Sequence, residues 1–349
     1  MNTLFQKTII FLFCLVCFFS FCDNGFSYSL FGGGDEVTPY DKFIVTVLTE
    51  NDVYVNLPVD KYYTAGNKVN FTTKEIDFAN SGGYYPNWLE YLGGIGLAGY
   101  PRVTKFNVGI TQEIYTPKTK SPIPDINDRP YAGYLYLSFG LTNRNSRVEE
   151  RLWLDTGVVG PMSLAKEVQD FIHINILKHD SVWPGWDYQL GNEFALNLNY
   201  QITRKYFIFS DGVLSADALL TLGGALGNID IHFAADGRFR YGYNLDADFG
   251  VPKINMSYSS STVYSDDFSF YIFFGAGGRL IGHNIFLSGN TYGKGTEIDV
   301  IPFVHDFELG LALAINGFRI SYIYTFKSRE FKTQDAGTNV GTILLEFAF

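Results

Sequence analysis

The residues best suited to chemistry fall in short polar clusters. They are Glu50-Asn51-Asp52, Tyr62-Tyr63-Thr64-Ala65-Gly66, Asp128-Arg129-Pro130-Tyr131-Ala132-Gly133, and the stretch from Trp186-Asp187 through Gln189-Leu190 to Asn192-Glu193. His173 stands apart from them, with Gln169 one helical turn before it and Leu177 one turn after. Imidazole is the side chain that most readily exchanges a proton near neutral pH, which makes His173 the candidate acid or base. On an ordinary helix, though, a lone histidine is more often structural. Carboxylates suit a hard cation, and carboxamides can donate to developing negative charge. The portable signatures of other chemistries are missing: there is no Gly-x-Ser-x-Gly elbow, no His-Glu-x-x-His and no P-loop in the sequence. Cys14, Cys17 and Cys22 all precede Asp23, so the remainder can form neither a disulfide framework nor a thiolate metal site.

The elements that must hold these clusters alternate with period two. From Tyr188 to Thr203 the even positions are Leu190, Asn192, Phe194, Leu196, Leu198, Tyr200 and Ile202, while the odd ones are mostly polar or small. Sixteen residues exceed the five or six of a typical soluble strand. Phe106, Val108, Ile110 and Ile114 repeat the pattern, as do Leu135, Leu137, Phe139 and Leu141. So do Phe318, Ile320, Tyr322, Tyr324 and Phe326, and the terminal Ile343, Leu345, Phe347 and Phe349. About twelve such segments start near residues 43, 62, 103, 131, 149, 188, 206, 227, 267, 299, 316 and 339. Alternating segments of this length, separated by turns, predict an all-β fold: a transmembrane antiparallel β-barrel of about 12 strands across residues 43–349. A secreted β-sandwich would share the alternation, but not the strand length or the supply of aromatics for interfacial girdles. A barrel of this size has a narrow lumen filled by side chains and water.

Composition and the amino-terminal segment agree with export. Charged residues make up 18% of the chain, against a norm of about 25% for globular domains. Net charge is −10, which excludes a general nucleic-acid binder. The richness in Phe and Tyr excludes disorder. Lys7 is the only charge before Asp23, and Thr8–Cys22 is uncharged, the pattern of a signal peptide over residues 1–22 with a cut as late as Ser29. Phe21 before Cys22 argues against a lipoprotein. Residues 23–42 then form an N-terminal tail.

Three stretches break the period. Residues 79–101 read as a long Gly- and aromatic-rich loop, and residues 116–130, with four prolines, are excluded from strand interior. Residues 163–179 (SLAKEVQDFIHINILKH) predict a short helix at a rim, with Ser163 as N-cap.

In order and spacing, the polar clusters resemble those of the outer-membrane lipid A 3′-O-deacylases, the LpxR-type family. The anchors are Glu50-Asn51-Asp52, Thr64-Ala65-Gly66, Gln112 to Pro117, Asp128–Gly133, Gly157–Pro161, Val168-Gln169 before His173, and Asn244-Leu245 with Asp248-Phe249-Gly250. The resemblance runs from about Phe43 to Phe349. It implies a calcium-dependent esterase of the cell outer membrane that removes the 3′-linked acyloxyacyl chain of lipid A in lipopolysaccharide. Carried over residue by residue, His173 is the catalytic histidine, Asn51 and Asp52 a site pair with Asp52 toward Ca2+, and Thr64 a further site residue. A family glutamate after the histidine is replaced here by Lys178-His179-Asp180, making Asp180 the candidate substitute. A family Lys-Arg pair is not reproduced, and Lys118 and Lys120 are the nearest basic residues for substrate phosphates. Two other readings compete: a barrel phospholipase, and a barrel of this lineage whose site has decayed to a structural or adhesive role.

Overall fold

The computed structural model describes residues 33–55, 61–96, 102–119, 121–176, 183–254, 262, 264–293 and 295–349. The N-terminal hydrophobic segment, Lys120 and Asp180 lie outside the described residues. Twelve antiparallel strands close into a barrel: β1 (Ile44–Asn51), β2 (Tyr62–Thr72), β3 (Val103–Thr116), β4 (Ala132–Arg144), β5 (Val148–Val159), β6 (Glu193–Ser210), β7 (Ser215–Gly227), β8 (Asp230–Tyr243), β9 (Ser269–Asn284), β10 (Phe303–Ile315), β11 (Phe318–Lys327) and β12 (Thr338–Ala348). Each strand pairs with its neighbours in sequence, and β1 pairs with β12, Ile44 opposite Ala348 and Asn51 opposite Gly341. Closure leaves no sheet edge unpaired.

The two faces are reversed relative to a soluble sheet. On β10, Val304, Asp306, Glu308, Gly310, Ala312 and Ala314 are buried, while Phe303, Phe307, Leu309, Leu311, Leu313 and Ile315 are exposed. Apolar side chains outside and polar ones inside are what a barrel wall in lipid requires. Among the described residues no helix is long and apolar enough to cross a membrane.

Some strand and helix boundaries differ from those the sequence predicts, the tenth strand starting at Phe303 rather than near 299 among them. The sixth strand starts at Glu193, not near 188, because Pro184–Tyr188 forms a 3₁₀ turn and pairing with β5 begins at Val159–Glu193. The seventh starts at Ser215, not near 206. The run Tyr206-Phe207-Ile208-Phe209 continues β6 through a bulge between Phe207 and Phe209, and a bulge inserts a residue that interrupts the alternation. Among the described residues three short α-helices lie in loops: α1 (Asn87–Gly93), α2 (Ala165–Phe171), which continues as a π-helical turn, Ile172–Ile176, and α3 (Ile285–Ser288). Ser163 is not the N-cap of α2. It belongs to a preceding 3₁₀ turn and donates to the Gly160 carbonyl (2.6 Å), while left-handed Leu164 holds the cap position without a side-chain bond.

The lumen is filled. The segment between β8 and β9 turns back inside the barrel, burying Leu245, Ala247, Asp248, Phe249, Val251 and Lys253. Asp248 receives hydrogen bonds from Arg240, Arg319 (2.7 Å) and Tyr271 (2.7 Å). Further along the same segment, Lys253 pairs with Glu308 (2.7 Å) and Asp306 (3.0 Å), and the Ile254 amide donates to Glu50 (2.7 Å). Buried charges survive only when paired, and here the inserted segment supplies the partners. At the opposite mouth Tyr115 stacks on Phe286 (4.2 Å) and Tyr134 on Tyr136 (4.2 Å). Arg129, fully buried, pairs there with Glu330 (3.2 Å). Between these layers lies a polar cavity of about 180 Å³.

Candidate active site

The site candidates that the structure places lie at the end of the barrel opposite the paired Phe43 and Phe349, with the helix carrying His173 on the outer surface of the wall. The register fixes this. On β3, Glu113 and Tyr115 face the lumen, so Gln112 and Ile114 face outward, in line with the exposed Val108 and Ile110. On β4 the lumen takes Tyr134 and Tyr136, leaving Gly133 outward, in line with the exposed Leu137 and Phe139. On β2 a bulge falls at Thr64: Tyr63 opposes Tyr115, but Ala65 opposes Ile114. Tyr63 therefore reaches Glu50 inside (2.8 Å), while Ala65 turns outward beside Ile114. Thr64 shares a hydrogen bond with Thr116, hydroxyl to hydroxyl, at 2.7 Å.

Helix α2 covers this outward patch. Ala165 packs with Ala65, Ile114, Tyr131, Trp183 and Trp186. Gln112 Nε2 donates to the Ser163 carbonyl (2.7 Å), and the Gly160 amide to the Gly133 carbonyl (2.9 Å). Gly133 is required by contact, since a Cβ there would overlap Ser163 Oγ and Ala165 Cβ. The helix thus leans against the barrel's flank rather than capping its mouth.

Its two faces are the reverse of those of a soluble surface helix, which buries its apolar stripe. Ala165, Gln169 and His173 follow one another at four-residue spacing, and the last two are only 3% and 6% exposed. Phe171 and Ile174 are 60% and 52% exposed, and Met162 and Leu164 are exposed beside them. Gln169 and His173 thus face the wall beside Ala165 and the partly buried Val168, while Phe171 and Ile174 face outward beside the exposed Glu167. His173 lies within the π-helical turn, a widening often found at functional sites.

Asp52 stands at the end of β1, which pairs with β2 at Asn51–Ala65, so Asp52, Thr64 and the helix carrying His173 share one rim. Asp52 is 5% exposed, and its Oδ2 accepts from the Lys61 amide (2.9 Å). Asn51 accepts from the Val53 amide (2.8 Å), which caps the 3₁₀ turn holding Asp52. Lys118 is on the next loop of this rim, in an ion pair with Asp335, whose carboxylate raises the ammonium above its ordinary value. The Lys118 amide donates to Asp128 (2.7 Å), and burial pushes the Asp128 carboxyl above the usual range. Asp180 and Lys120, outside the described residues, are not placed.

The structure adds groups that the motif reading left without a role. Thr116 partners Thr64, Gln112 ties down the start of α2, and the Trp186 indole donates to Gln169 Oε1 (2.9 Å). Trp186 and Gln112 were visible only as members of polar clusters, since no local period links either to residues distant in sequence.

Comparison with known proteins follows the same lines. The solved LpxR from Salmonella typhimurium is 18% identical, with a TM-score of 0.69 over 88% of this chain and 100% of that one, and shows the same fold. The β domain of the Bordetella autotransporter BrkA (8% identical, covering 88% of this chain and 99% of that one) has a TM-score of only 0.40, and the translocator domain of NalP from Neisseria meningitidis (8%, covering 88% and 87%) one of 0.34. Neither of the latter carries weight. No curated protein matches the chain. The family described as outer membrane protein LpxR matches residues 11–349. A closed twelve-stranded barrel with a polar-faced helix against its flank is therefore an outer-membrane protein, and the chain belongs to the LpxR family.

Proposed function

We propose that this protein is a lipid A 3′-O-deacylase, hydrolysing the ester of the 3′-linked acyloxyacyl chain from within the outer leaflet. The observation that carries this reading is the reversed polarity of α2: His173 and Gln169 face the wall, and Phe171 and Ile174 face outward. A site between a helix and the outer wall is open sideways to lipid, so the ester can be reached without extracting the molecule. Bacterial barrels keep short turns toward the periplasm and long loops outside. The other rim carries the long connections 73–102 and 244–268, but the longest, residues 160–192, lies on the rim that also bears 285–302, and we take that rim as the extracellular one, where lipid A lies.

In the proposed mechanism the His173 imidazole takes a proton from water as the water oxygen adds to the ester carbonyl. The carbon–oxygen bond to the sugar then breaks, and the departing sugar oxygen takes the proton back from His173. Asn51 orients ligands at the Asp52 turn, and Thr64 offers a hydroxyl beside them. Asp52, a buried carboxylate, suits a hard cation in kind. The described residues contain no group of three or more His, Cys, Asp or Glu side chains that could hold a metal ion, and backbone carbonyls, water and substrate are proposed to complete a calcium shell at Asp52. Calcium bound there would polarise the ester carbonyl. Asp180 is proposed to support His173, and Lys118 and Lys120 to meet the phosphates, Lys118 by exchanging Asp335 for phosphate.

The test is mass spectrometry of lipid A incubated with purified protein in mixed micelles. Wild type is expected to release the 3′-linked chain, and His173→Ala to lose about 10²–10⁴-fold in rate with the barrel intact. Equal release by both proteins, or release from glycerophospholipid with lipid A untouched, would reject the reading.

A further inference from the structure

Trp186 is buried beneath α2, packed with Ala165, Ala65 and Tyr131. Its indole nitrogen is 2.9 Å from Gln169 Oε1. An indole N–H can only donate, so it dictates which end of the Gln169 carboxamide it meets. The oxygen faces Trp186, and the NH2 group must face away. That Nε2 is buried and has no hydrogen-bond partner among the described residues. A desolvated donor left without a partner is costly and uncommon in folded proteins. Gln169 lies one turn before His173 on the wall-facing side of the helix.

We propose that Trp186 is a positioning residue: it pins the Gln169 oxygen so that the Gln169 NH2 is presented, already dehydrated, to the substrate ester beside His173. A donor fixed in advance needs no reorganisation as charge develops, which is where such groups act most strongly. This inference rests on the deacylase reading and adds a residue that touches no substrate. Without the indole N–H the carboxamide can rotate, and the donor is presented only part of the time. Substrate binding, set by the acyl chains and phosphates, is unaffected.

The experiment measures kcat and KM for lipid A in mixed micelles with wild type, Trp186→Phe, Gln169→Ala and the double variant, each checked for the heat-modifiable folded barrel. Trp186→Phe keeps the ring and removes the donor. It is expected to lower kcat about tenfold or more with KM unchanged, since losing a donor outright costs about 10²–10³. In the Gln169→Ala background the same change should cost nothing, because the indole acts only through that amide. Gln169→Glu, which still accepts from Trp186 but lacks the NH2 group, should lose as much as Gln169→Ala and covers the case in which Trp186→Phe does not fold. Wild-type kcat in Trp186→Phe, an equal loss in both backgrounds, or full activity in Gln169→Glu would overturn the inference while leaving the deacylase reading standing. Wild-type protein inert toward lipid A would overturn both.

Discussion

Replacing Gly133 by alanine tests whether contact between α2 and the wall sets the geometry of the site. The strand backbone at Gly133 is ordinary for any residue, so the substitution acts through space alone. The new methyl would meet Ser163 Oγ and Ala165 Cβ. Neither is the end of a flexible side chain. Ser163 is tied to the Gly160 carbonyl (2.6 Å) and to Gln112 (2.7 Å), and Gly160 to Gly133 itself (2.9 Å). Normal carbon contacts are about 3.5–4.0 Å, so the helix must lift by about 1 Å or more. Displacement of that size at a reacting centre costs about 10²-fold in rate. Gly133→Ala should therefore slow 3′-deacylation about 100-fold, and Gly133→Val further, while both proteins run as folded, heat-modifiable barrels on electrophoresis. Wild-type kinetics in Gly133→Ala would show that the position of α2 does not control the chemistry.

Other outcomes follow from the same structure. Chelation of calcium should silence lipid A hydrolysis reversibly, and Asp52→Asn should raise the calcium concentration needed for half-maximal rate; activity indifferent to chelator rejects the metal role. Glu330→Gln strands the fully buried Arg129 and should cost about 3–5 kcal/mol in urea-unfolding experiments, whereas an unchanged midpoint would show that the pair is dispensable. Burial alone would raise the Glu330 carboxyl, but Arg129, Lys327 and Arg279 more than offset it and hold it below its ordinary 4.5. Its stabilising share is thus present above that value and lost as pH falls through the lower folded one, and Glu330→Gln should lack this part of the acid sensitivity.

Much of the barrel was legible because lipid and lumen impose opposite demands on adjacent residues, and that demand persists over ten or more positions. It fails where a bulge shifts the phase, as at Phe207–Phe209, and where residues alternate without pairing, as at Tyr188–Asn192. The turn at Asn316-Gly317, both with positive φ, is the kind a two-residue hairpin needs. The inward return of residues 244–254 carries no period at all. It is specified by Asp248 finding the nearby Arg240, and by Asp248 and Lys253 finding Arg319 and Glu308, partners distant in sequence that the assembled barrel brings near. At the site, the spacing of Gln169 and His173 announced a shared helix face but not that this face would be the buried one. That inversion depends on the medium outside, which a helical period does not encode. Trp186 was legible as part of a cluster, and its role rests on one hydrogen bond across a loop.

The inserted segment with its ion pairs, and the stacked aromatics at the other mouth, have a consequence for the organism's envelope. An outer membrane excludes noxious small solutes only as well as its leakiest component. Chemistry on the outer flank, as proposed, needs no bore, and the described residues place side-chain layers across the lumen toward both mouths. On the deacylase reading proposed above, cells could then produce it in quantity without opening a leak to detergents or antibiotics through the barrel.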